Sequence, residues 1–528
     1  MILNHIPALQ QIGFPVLSVL LFLPLVAAIL LRTMRDEKTA YTIALVVSIA
    51  ELALAMLVWD MFVPDVSDIQ FSEQFALIPG IGFSYHLGVD GVSVLFLPAT
   101  ALLALLAVLY AEPSAPKDTP GYLSALLMFE AMMIGAFVSL DLLLFWVFFV
   151  AELYPSWLLI TRWGTGEKRF EAARTYLTMM LAGSAAMLVG IVMLASNFGD
   201  VAGAGMSFDY VKLVTVDIPL KAQTTIFFLI CLGFAIKAPI FPLHTWMPKV
   251  LEQGPIVGMS VFLVGIKLGT YGFLRFVIPL LPEASKEWFW LLAGLGVIGM
   301  VYGALIALIQ TNLRRLLAFA SLSHMGVVML GLFSLNFAGF QGGLLQMINL
   351  GITGAGLFFI AGFLFQRVGA PDLNRMGGLG EFAPFLTMAF LIIGLAGIGM
   401  PGTSGFNGEH LVMLGAFKVN PWMAGAAGLG TMLSASYFLW YYQKAFLGQA
   451  HLASVREVKD LGHRELWIAA TLGTLVIVVG MVTTPFLITM NGSLRAIEAR
   501  VNKGAATAVV APHVAAPAEM TPPAEQGR

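Results

Sequence analysis

The chain has 528 residues, of which 59% are hydrophobic and only 11% are charged, a balance far from that of a soluble globular domain. Its formal net charge is −2 and it has no block of Lys and Arg residues, which excludes a nucleic-acid partner. Its one cysteine, Cys231, rules out an internal disulfide and a four-thiolate iron–sulfur cluster held by this chain alone. Lipid is therefore the expected solvent for most of the chain.

Apolar stretches of about 20 residues, the length that a helix needs to cross a bilayer, recur along the chain. The sequence predicts an all-α membrane protein with fourteen spans, at 15–32, 40–62, 91–111, 122–140, 142–161, 171–198, 222–245, 254–278, 287–309, 313–335, 338–365, 383–418, 421–445 and 466–490. The first span lacks a small-residue cleavage site, so we expect it to be retained rather than removed as a signal peptide. The Ala- and Pro-rich stretch 491–528 is predicted to be a disordered tail.

The Lys and Arg residues of the predicted loops indicate the orientation. If the N-terminus lies outside, seventeen of them fall in inner loops, and outer loops hold only Lys212, Lys221, Lys286 and Lys418. Because the predicted number of spans is even, we expect both termini on the outer side.

Ionisable residues inside the predicted spans need a reason, because a charge at the bilayer centre costs about 2.5 to 3.5 kcal/mol on insertion scales. They are Glu51, Glu130, Glu152, Lys237, Lys267, Arg275, His324 and Glu409. A single residue of this kind is more simply explained by a structural role, as a side chain that hydrogen-bonds one helix to another. Several acids, two lysines and a histidine on successive helices instead indicate a proton relay.

Two of these residues lie where a helix should break. Lys237 lies in "FAIKAPIFPLHTWMPK", where Pro239 and Pro242 cannot donate backbone hydrogen bonds. Glu409 lies in "GMPGTSGFNGEHLVM", where Pro401 and three glycines should unwind the span. Interrupted helices in corresponding positions point to a transport site. Since the two breaks are five spans apart, we predict an internal repeat of five helices, whose odd number makes the two copies inverted.

Lys267 and His324 are the remaining relay candidates. Lys267 lies beside three glycines that would let another helix approach closely. His324 lies beside two serines in an apolar span, and histidine titrates nearest to neutral pH. Each residue also has a purely structural interpretation. Lys267 could simply be paired to a carboxylate, and His324 could simply pack two helices together.

Four stretches make the chain recognisable: "YHLGVDGVSV", "HTWMPKVLEQGPIVGMSVFLVGIKLGTYGFLRF", "RRLLAFASLSHMGVVMLG" and "PGTSGFNGEHLVMLGAF". Together they resemble the chain M family among the antiporter-like membrane subunits of respiratory complex I, NADH:quinone oxidoreductase, over about 15–490. The wider family includes chains L and N, Mrp-type cation/proton antiporters and the membrane arms of hydrogenases. The start of the third span and the short C-terminus favour chain M over chain L.

The resemblance implies a domain plan and a function. A three-helix region at 1–121 would precede a first repeat at 122–278 (spans 4–8) and a second repeat at 287–445 (spans 9–13), followed by a C-terminal helix at 446–490. Quinone reduction on other chains would drive protons through Lys237 of the seventh span, Lys267 of the eighth, His324 of the tenth and Glu409 of the twelfth.

The same resemblance implies the partners. NADH, FMN, iron–sulfur clusters and quinone would bind to partner subunits, with no cofactor or metal on this chain. The partners would be chains L and N and the small membrane chains, in a bacterial inner membrane. An Mrp-type Na⁺/H⁺ antiporter or a hydrogenase arm is the rival of the same fold, and a structural spacer that has lost translocation is the rival of another class.

One difference from the family is the reason for the hypothesis that the chain is a structural spacer. The family pairs its seventh-span lysine with a glutamate five residues before a proline of the fifth span, and here that position is Val150. Glu152 lies three residues before Pro155 instead. Two residues along a helix turn a side chain by about 200°, so we expect Glu152 to face away from the usual direction. Glu130, on the preceding span, is then the candidate partner for Lys237.

Overall fold

The computed structural model describes residues 3–114, 118–203, 205–369, 372–450 and 452–509, with the backbone alone at 112–114 and 504–509. Its first half contains α1 (Ala8–Gln11), α2 (Val16–Thr33), α3 (Glu37–Asp60), α4 (Phe96–Ser114), α5 (Thr119–Val138), α6 (Leu142–Ala151), α7 (Leu153–Trp163), α8 (Arg169–Ala202), α9 (Tyr210–Leu213), α10 (Leu220–Lys237), α11 (Trp246–Gln253), α12 (Gly258–Gly272) and α13 (Ile278–Leu280). Its second half contains α14 (Pro282–Leu308), α15 (Leu313–Leu332), α16 (Phe337–Val368), α17 (Leu379–Phe382), α18 (Pro384–Gly397), α19 (Ser404–Val419), α20 (Pro421–Phe446), α21 (Ala453–Arg456), α22 (His463–Met481) and α23 (Thr484–Val509). The protein is thus built mainly of helices.

Eleven helical segments in the described ranges are long and apolar enough to cross a membrane, and each matches a predicted span. The other three predicted spans, 91–111, 383–418 and 421–445, fall on α4, on α18 with α19, and on α20. A helical membrane protein is therefore confirmed, and the number fourteen remains a prediction.

The C-terminal part of the chain differs from the prediction. Instead of one span to residue 490, α22 ends at Met481 and α23 runs from Thr484 to Val509, so a disordered tail from residue 491 is wrong for the described residues. The side chains that α23 buries recur every three or four residues: Met490, Leu494, Ile497 and Val501. This apolar stripe packs α23 against α16, and polar residues between its members concealed it in the sequence. Residues 510–528 of the predicted tail lie outside the described residues.

A three-stranded sheet also corrects the all-α expectation. Its strands are β1 (His5–Pro7), β2 (Ile69–Ile78) and β3 (Phe83–Val89), in the order β1-β2-β3. The β2 and β3 strands are antiparallel around a tight turn that ends at Gly82 with a φ of 72°, which suits glycine. The prediction missed the sheet because it assigned only membrane spans, and β1 precedes the first of these while β2 and β3 lie between the second and the third.

The sheet is held to the loop before α9 by a contact between His86 of β3 and Asp209. His86 Nδ1 lies 3.2 Å from Asp209 Oδ1. Burial alone would raise the pKa of Asp209, but the neighbouring imidazole lowers it, and the net pKa is below its ordinary value. The contact is therefore strongest when the carboxylate is charged.

Helix α12 lies at the centre of the bundle. Every one of its fifteen residues is buried, and it packs against α4, α5, α10, α15 and α16. A five-residue π-helical turn, Phe273–Val277, separates α12 from α13. Because Lys267 lies on α12, this placement puts a lysine in the middle of the protein.

The predicted break beside Lys237 is present. Helix α10 ends at Lys237 and α11 begins only at Trp246. Two carbonyl groups left without their usual partners accept other donors: Ala235 accepts from the Ile240 N–H at 2.9 Å, and Ile236 accepts from Trp246 Nε1 at 2.9 Å. The irregular backbone is thus satisfied inside the protein, as membrane depth requires.

The second predicted break is also present. Helix α18 ends at Gly397 and α19 begins at Ser404. Between them Gly399 and Gly402 have φ values of 70° and 87°, which glycine adopts without strain. A Cβ atom at Gly399 would overlap the carboxyl group of Glu409. The missing side chain at Gly399 therefore makes room for this acid at the break.

Candidate functional site

The first cluster of the site is a buried ion pair between Lys237 and Glu152. Lys237 Nζ donates to Glu152 Oε2, and the side chains are 1% and 0% exposed. The other carboxylate oxygen, Glu152 Oε1, accepts from Ser156 Oγ at 2.9 Å and from the Tyr176 hydroxyl at 3.3 Å. The Lys237 ammonium also lies 5.5 Å from the centre of the Phe149 ring. Both charges therefore have a partner and further favourable contacts.

This geometry overturns the expected orientation of Glu152, which faces Lys237 rather than away from it. The 200° argument took the position of Lys237 from the family. The chain stays helical through Glu152, with a φ of −59° and a ψ of −23°, and Lys237 lies on the side to which Glu152 points. Lysine also has a long flexible side chain that can reach an acid in more than one direction. Val150, at the position of the family's acid, is half-buried. The acid is therefore displaced along the chain, but the ion pair is made.

Glu130 is not the partner of Lys237, which was its expected place. It lies in the middle of α5 and is fully buried, and neither of its carboxyl oxygens has a hydrogen-bond partner in the described ranges. A role for Glu130 in a proton path remains a prediction.

Lys267 occupies the centre of the bundle, between the two helix breaks. Its ammonium group lies 3.4 Å from Met325 Sδ and its side chain is 2% exposed. The predicted close approach of a helix is confirmed, because a Cβ atom at Gly269 would meet the backbone of Ala238 at the break after α10.

A cavity extends from Lys267 toward the second half of the protein. It has a volume of about 40 Å³, and its polar lining is supplied by Lys267, Ser321, His324, Thr353 and Tyr437. Each water needs roughly 10 to 15 Å³ of such space and two to four polar partners, so about three waters fit. Waters in this cavity would connect Lys267 to His324 by hydrogen bonds.

The second cluster surrounds Glu409, which is 3% exposed. Its Oε1 lies 3.8 Å from His324 Nδ1 and accepts from Gln346 Nε2 at 3.4 Å, and its Oε2 accepts from Thr431 Oγ1 at 3.2 Å. His324 Nε2 lies 3.3 Å from the Tyr437 hydroxyl. His324 therefore stands between the cavity and Glu409.

The structure adds four polar residues that the sequence reading missed: Tyr176, Gln346, Thr431 and Tyr437. Each is one uncharged polar residue in an apolar helix, a much weaker signal than a charge in a span. Each of them matters because its side chain contacts Glu152, Glu409 or His324, and only the folded chain shows which helix faces come together.

Removing the hydroxyl group of Thr431 should weaken the second cluster. A hydrogen bond to a charged group contributes about 1.5 to 3 kcal/mol, so Thr431→Val should lower the free energy of unfolding by about that amount, because Glu409 loses a donor. The measurement is the thermal midpoint of the purified protein. Thr431→Ser keeps the hydroxyl and is the control, and equal loss in both variants would contradict a role for this hydrogen bond.

A comparison with known protein families decides where the chain belongs. A protein-family model described as "NADH:quinone oxidoreductase/Mrp antiporter, TM" matches residues 139–434, more than half of the chain. The NADH-quinone oxidoreductase subunit M of Rickettsia prowazekii is 35% identical over 486 residues, which cover 90% of this chain and 97% of the relative. The chain belongs to this family. The predicted resemblance to its chain M members is confirmed.

A second relative and one solved structure agree with this assignment, and a further solved structure shares the fold. The subunit M of Rhodobacter capsulatus is also 35% identical, over 88% of this chain and 93% of the relative. A chain of respiratory complex I from Thermus thermophilus superposes with a TM-score of 0.84 at 32% identity, over 92% of this chain and 99% of that chain. A chain of the Mrp complex from Dietzia sp. gives a TM-score of 0.81 at 21% identity, over 92% and 99%. The second likeness shows a shared fold and no more.

Proposed function

We propose that this family member is the proton-translocating membrane-arm subunit of an NADH:quinone oxidoreductase. The observation that carries the proposal is the fully buried Lys237–Glu152 ion pair at a broken helix. Two charges are costly to bury, and a scaffold could replace them with apolar residues at no loss of stability. A pair that must form and separate has a reason to stay charged.

The chain's own residues supply the steps of the path. Separation of Glu152 from Lys237 would leave a buried ammonium that gives up its proton toward Lys267. A neighbouring charge at 4 to 7 Å shifts this balance by about 2 to 4 kcal/mol at an effective dielectric constant of about 20. Waters in the central cavity would pass the proton to His324, and Glu409 would hold it before release. Glu130, also predicted as a path residue, is proposed to lie beside this path, because neither of its carboxyl oxygens has a hydrogen-bond partner in the described ranges.

The finer topology belongs to the same proposal. Fourteen spans would place both termini on the outer side, and spans 4–8 and 9–13 would form inverted repeats at 122–278 and 287–445. The two broken helices at Lys237 and Glu409, each with an acid or base at the break, support the repeat. Residues 1–121 would form the N-terminal three-helix region.

We further propose chains L and N and the small membrane chains as partners in a bacterial inner membrane. Quinone reduction on other subunits would drive the proton path, with NADH, FMN and iron–sulfur clusters bound there. In the described ranges no group of three or more His, Cys, Asp or Glu residues could hold a metal ion.

The second candidate function is Na⁺/H⁺ antiport. The matching family model favours it, because its description names Mrp antiporters beside NADH:quinone oxidoreductase. The two functions differ in the ion that moves, and a measurement of sodium uptake separates them. A pump-silent spacer is the third reading and predicts that no substitution in the path changes pumping.

The test is proton pumping by the intact NADH:quinone oxidoreductase in sealed vesicles, with native chain and with Lys237→Met. We expect pumping to fall at least tenfold while the complex remains assembled, because the path loses its first proton carrier. The matched control is Lys249→Met, since Lys249 forms an exposed ion pair with Glu171 at 3.3 Å.

Normal pumping by Lys237→Met would refute the proposal in favour of the spacer. Sodium uptake coupled to the reaction, lost in Lys237→Met, would favour the antiporter. Loss of pumping in Lys249→Met as well would mean that the assay reports assembly rather than the path.

A further inference from the structure

Two buried acids, Glu51 and Glu130, lie outside the contacts that link Lys237 to Glu409. Glu51 is in the middle of α3 and Glu130 is in the middle of α5, and the two helices pack against each other. Both side chains are 0% exposed. None of their four carboxyl oxygens has a hydrogen-bond partner in the described ranges, whereas Glu152 and Glu409 each have several.

Among the described residues, the surrounding elements supply no buried counter-charge in contact with this pair. Glu51 lies close enough to Glu130 for the two carboxylates to repel each other when both are charged. Glu152, between α6 and α7, is paired with Lys237, and Lys267 of α12 lies against Met325. The other titratable groups that the structure describes on the packed elements are Arg32 of α2, Glu37, Lys38, Tyr41 and Asp60 of α3, Tyr85 and His86 of β3, Tyr110 of α4, Tyr122 of α5, Tyr154 and Arg162 of α7, and Tyr271 of α12.

A third buried polar group, the hydroxyl of Ser48, lies on the same helix face as Glu51. Ser48 precedes Glu51 by three residues on α3, so the two side chains share one face of the helix. The Ser48 hydroxyl is 0% exposed and is also without a partner among the described residues. Three unpartnered polar groups at membrane depth indicate that something small binds between them, because each unsatisfied group is costly there.

We propose that Glu51 and Glu130 form a second proton-binding site, in which the two carboxyl groups share one proton. Two adjacent buried carboxylates cannot both be ionised, because each disfavours the charge of the other. One proton between them makes a short charge-assisted O–H···O bond, and Ser48 Oγ donates a further one. The pair then carries a single negative charge rather than two.

The site is adjacent to the proposed path and rests on it for the supply of protons. Phe129, the neighbour of Glu130 on α5, lies against Gly265 of α12, and Glu152 Oε1 lies at the same glycine. A proton held by the pair would change the net charge beside the Lys237–Glu152 pair. The site would therefore store a proton next to the first step of the path.

The test is infrared absorption of the intact complex in its membrane, in the C=O stretch of protonated carboxyl groups. The samples are the native complex, Glu51→Gln, Glu130→Gln and the double variant, with Glu37→Gln, an exposed acid at the start of α3, as the matched control. We expect one band that moves in frequency in each single variant, since the remaining acid keeps the proton, and that disappears in the double variant. The control should leave it unchanged.

Other results would overturn the shared proton. A band that halves in each single variant without moving would mean two separately protonated acids. A band that is absent in sodium buffer and appears when sodium is removed would mean a bound cation. If a glutamine variant fails to assemble, Glu51→Asp and Ser48→Ala should still shift the band, and an unshifted band in both would contradict the site. Because this is an equilibrium spectrum, it is independent of whether Lys237→Met stops pumping.

Discussion

Replacing Glu152 by glutamine should lower the rate of proton pumping at least tenfold, whereas Glu130→Gln should lower it no more than about twofold. Breaking a buried ion pair on one side leaves an uncompensated charge that costs about 3 to 5 kcal/mol. In the proposed path Lys237 passes its proton on when Glu152 moves away, so a chain without this acid lacks the first step. Glu130 does not contact Lys237, so its removal spares the pair. The measurement is proton uptake by sealed vesicles that contain the assembled complex.

Tyr176→Phe is the graded control for this prediction. It keeps the aromatic ring beside Lys237, which lies 5.8 Å from the ring centre, but removes the hydroxyl that donates to Glu152 Oε1. We expect a loss of pumping smaller than that of Glu152→Gln, because the ion pair itself survives. If Glu130→Gln stops pumping and Glu152→Gln does not, the partner of Lys237 in the working protein is Glu130, and the assignment made here is wrong.

Separating Asp90 from Arg275 should destabilise the protein more than any change at its surface. Arg275 Nη1 lies 2.5 Å from Asp90 Oδ2, with side chains 1% and 4% exposed, and the guanidinium group also lies 4.5 Å from the centre of the Tyr210 ring. The π-helical turn Phe273–Val277 carries Arg275 into this position. Asp90→Asn should cost about 3 to 5 kcal/mol, because the buried guanidinium loses its counter-charge. The measurement is the thermal midpoint and yield of the solubilised complex.

The double variant Asp90→Asn with Arg275→Gln makes this prediction sharp. Removing both charges leaves none uncompensated, so the double variant should be more stable than either single variant. Additive losses would show that the two residues act separately and that their contact contributes nothing. Arg162→Gln is the control, because Arg162 pairs with Asp118 at 3.7 Å on a half-exposed surface, where an ion pair contributes little.

The buried charges and the helix-breaking residues could be found from the sequence, because such residues are rare inside membrane-spanning helices. Pro239 and Pro242 cannot donate backbone hydrogen bonds, and the break after Lys237 follows directly. The glycines before Glu409 permit the second break in the same way. Lys267 among glycines indicated a crowded centre, which α12 occupies. These features depend on local chemistry along one segment, so the order of residues was enough.

The sheet and α23 were missed for a different reason. Both are made of short apolar patterns mixed with polar residues, and neither has the long apolar run that identifies a span. Their stability comes from the surfaces they cover, such as the burial of Leu494 and Ile497 of α23. A search for spans does not detect segments that become stable only against a neighbour.

By itself, the sequence determined the class of protein, the helices that cross the membrane, their two breaks and the set of charges that need partners. Only the tertiary structure decided the partners: Glu152 rather than Glu130 for Lys237, and His324 for Glu409. The physical reason is that the cost of burying a charge is a property of one residue and its segment, whereas its compensation depends on which helix faces meet across the bundle. In the sequence, the acid at Glu152 rather than at Val150 suggests that the ion pair has been lost. In the folded protein, the helices nevertheless bring Glu152 to Lys237.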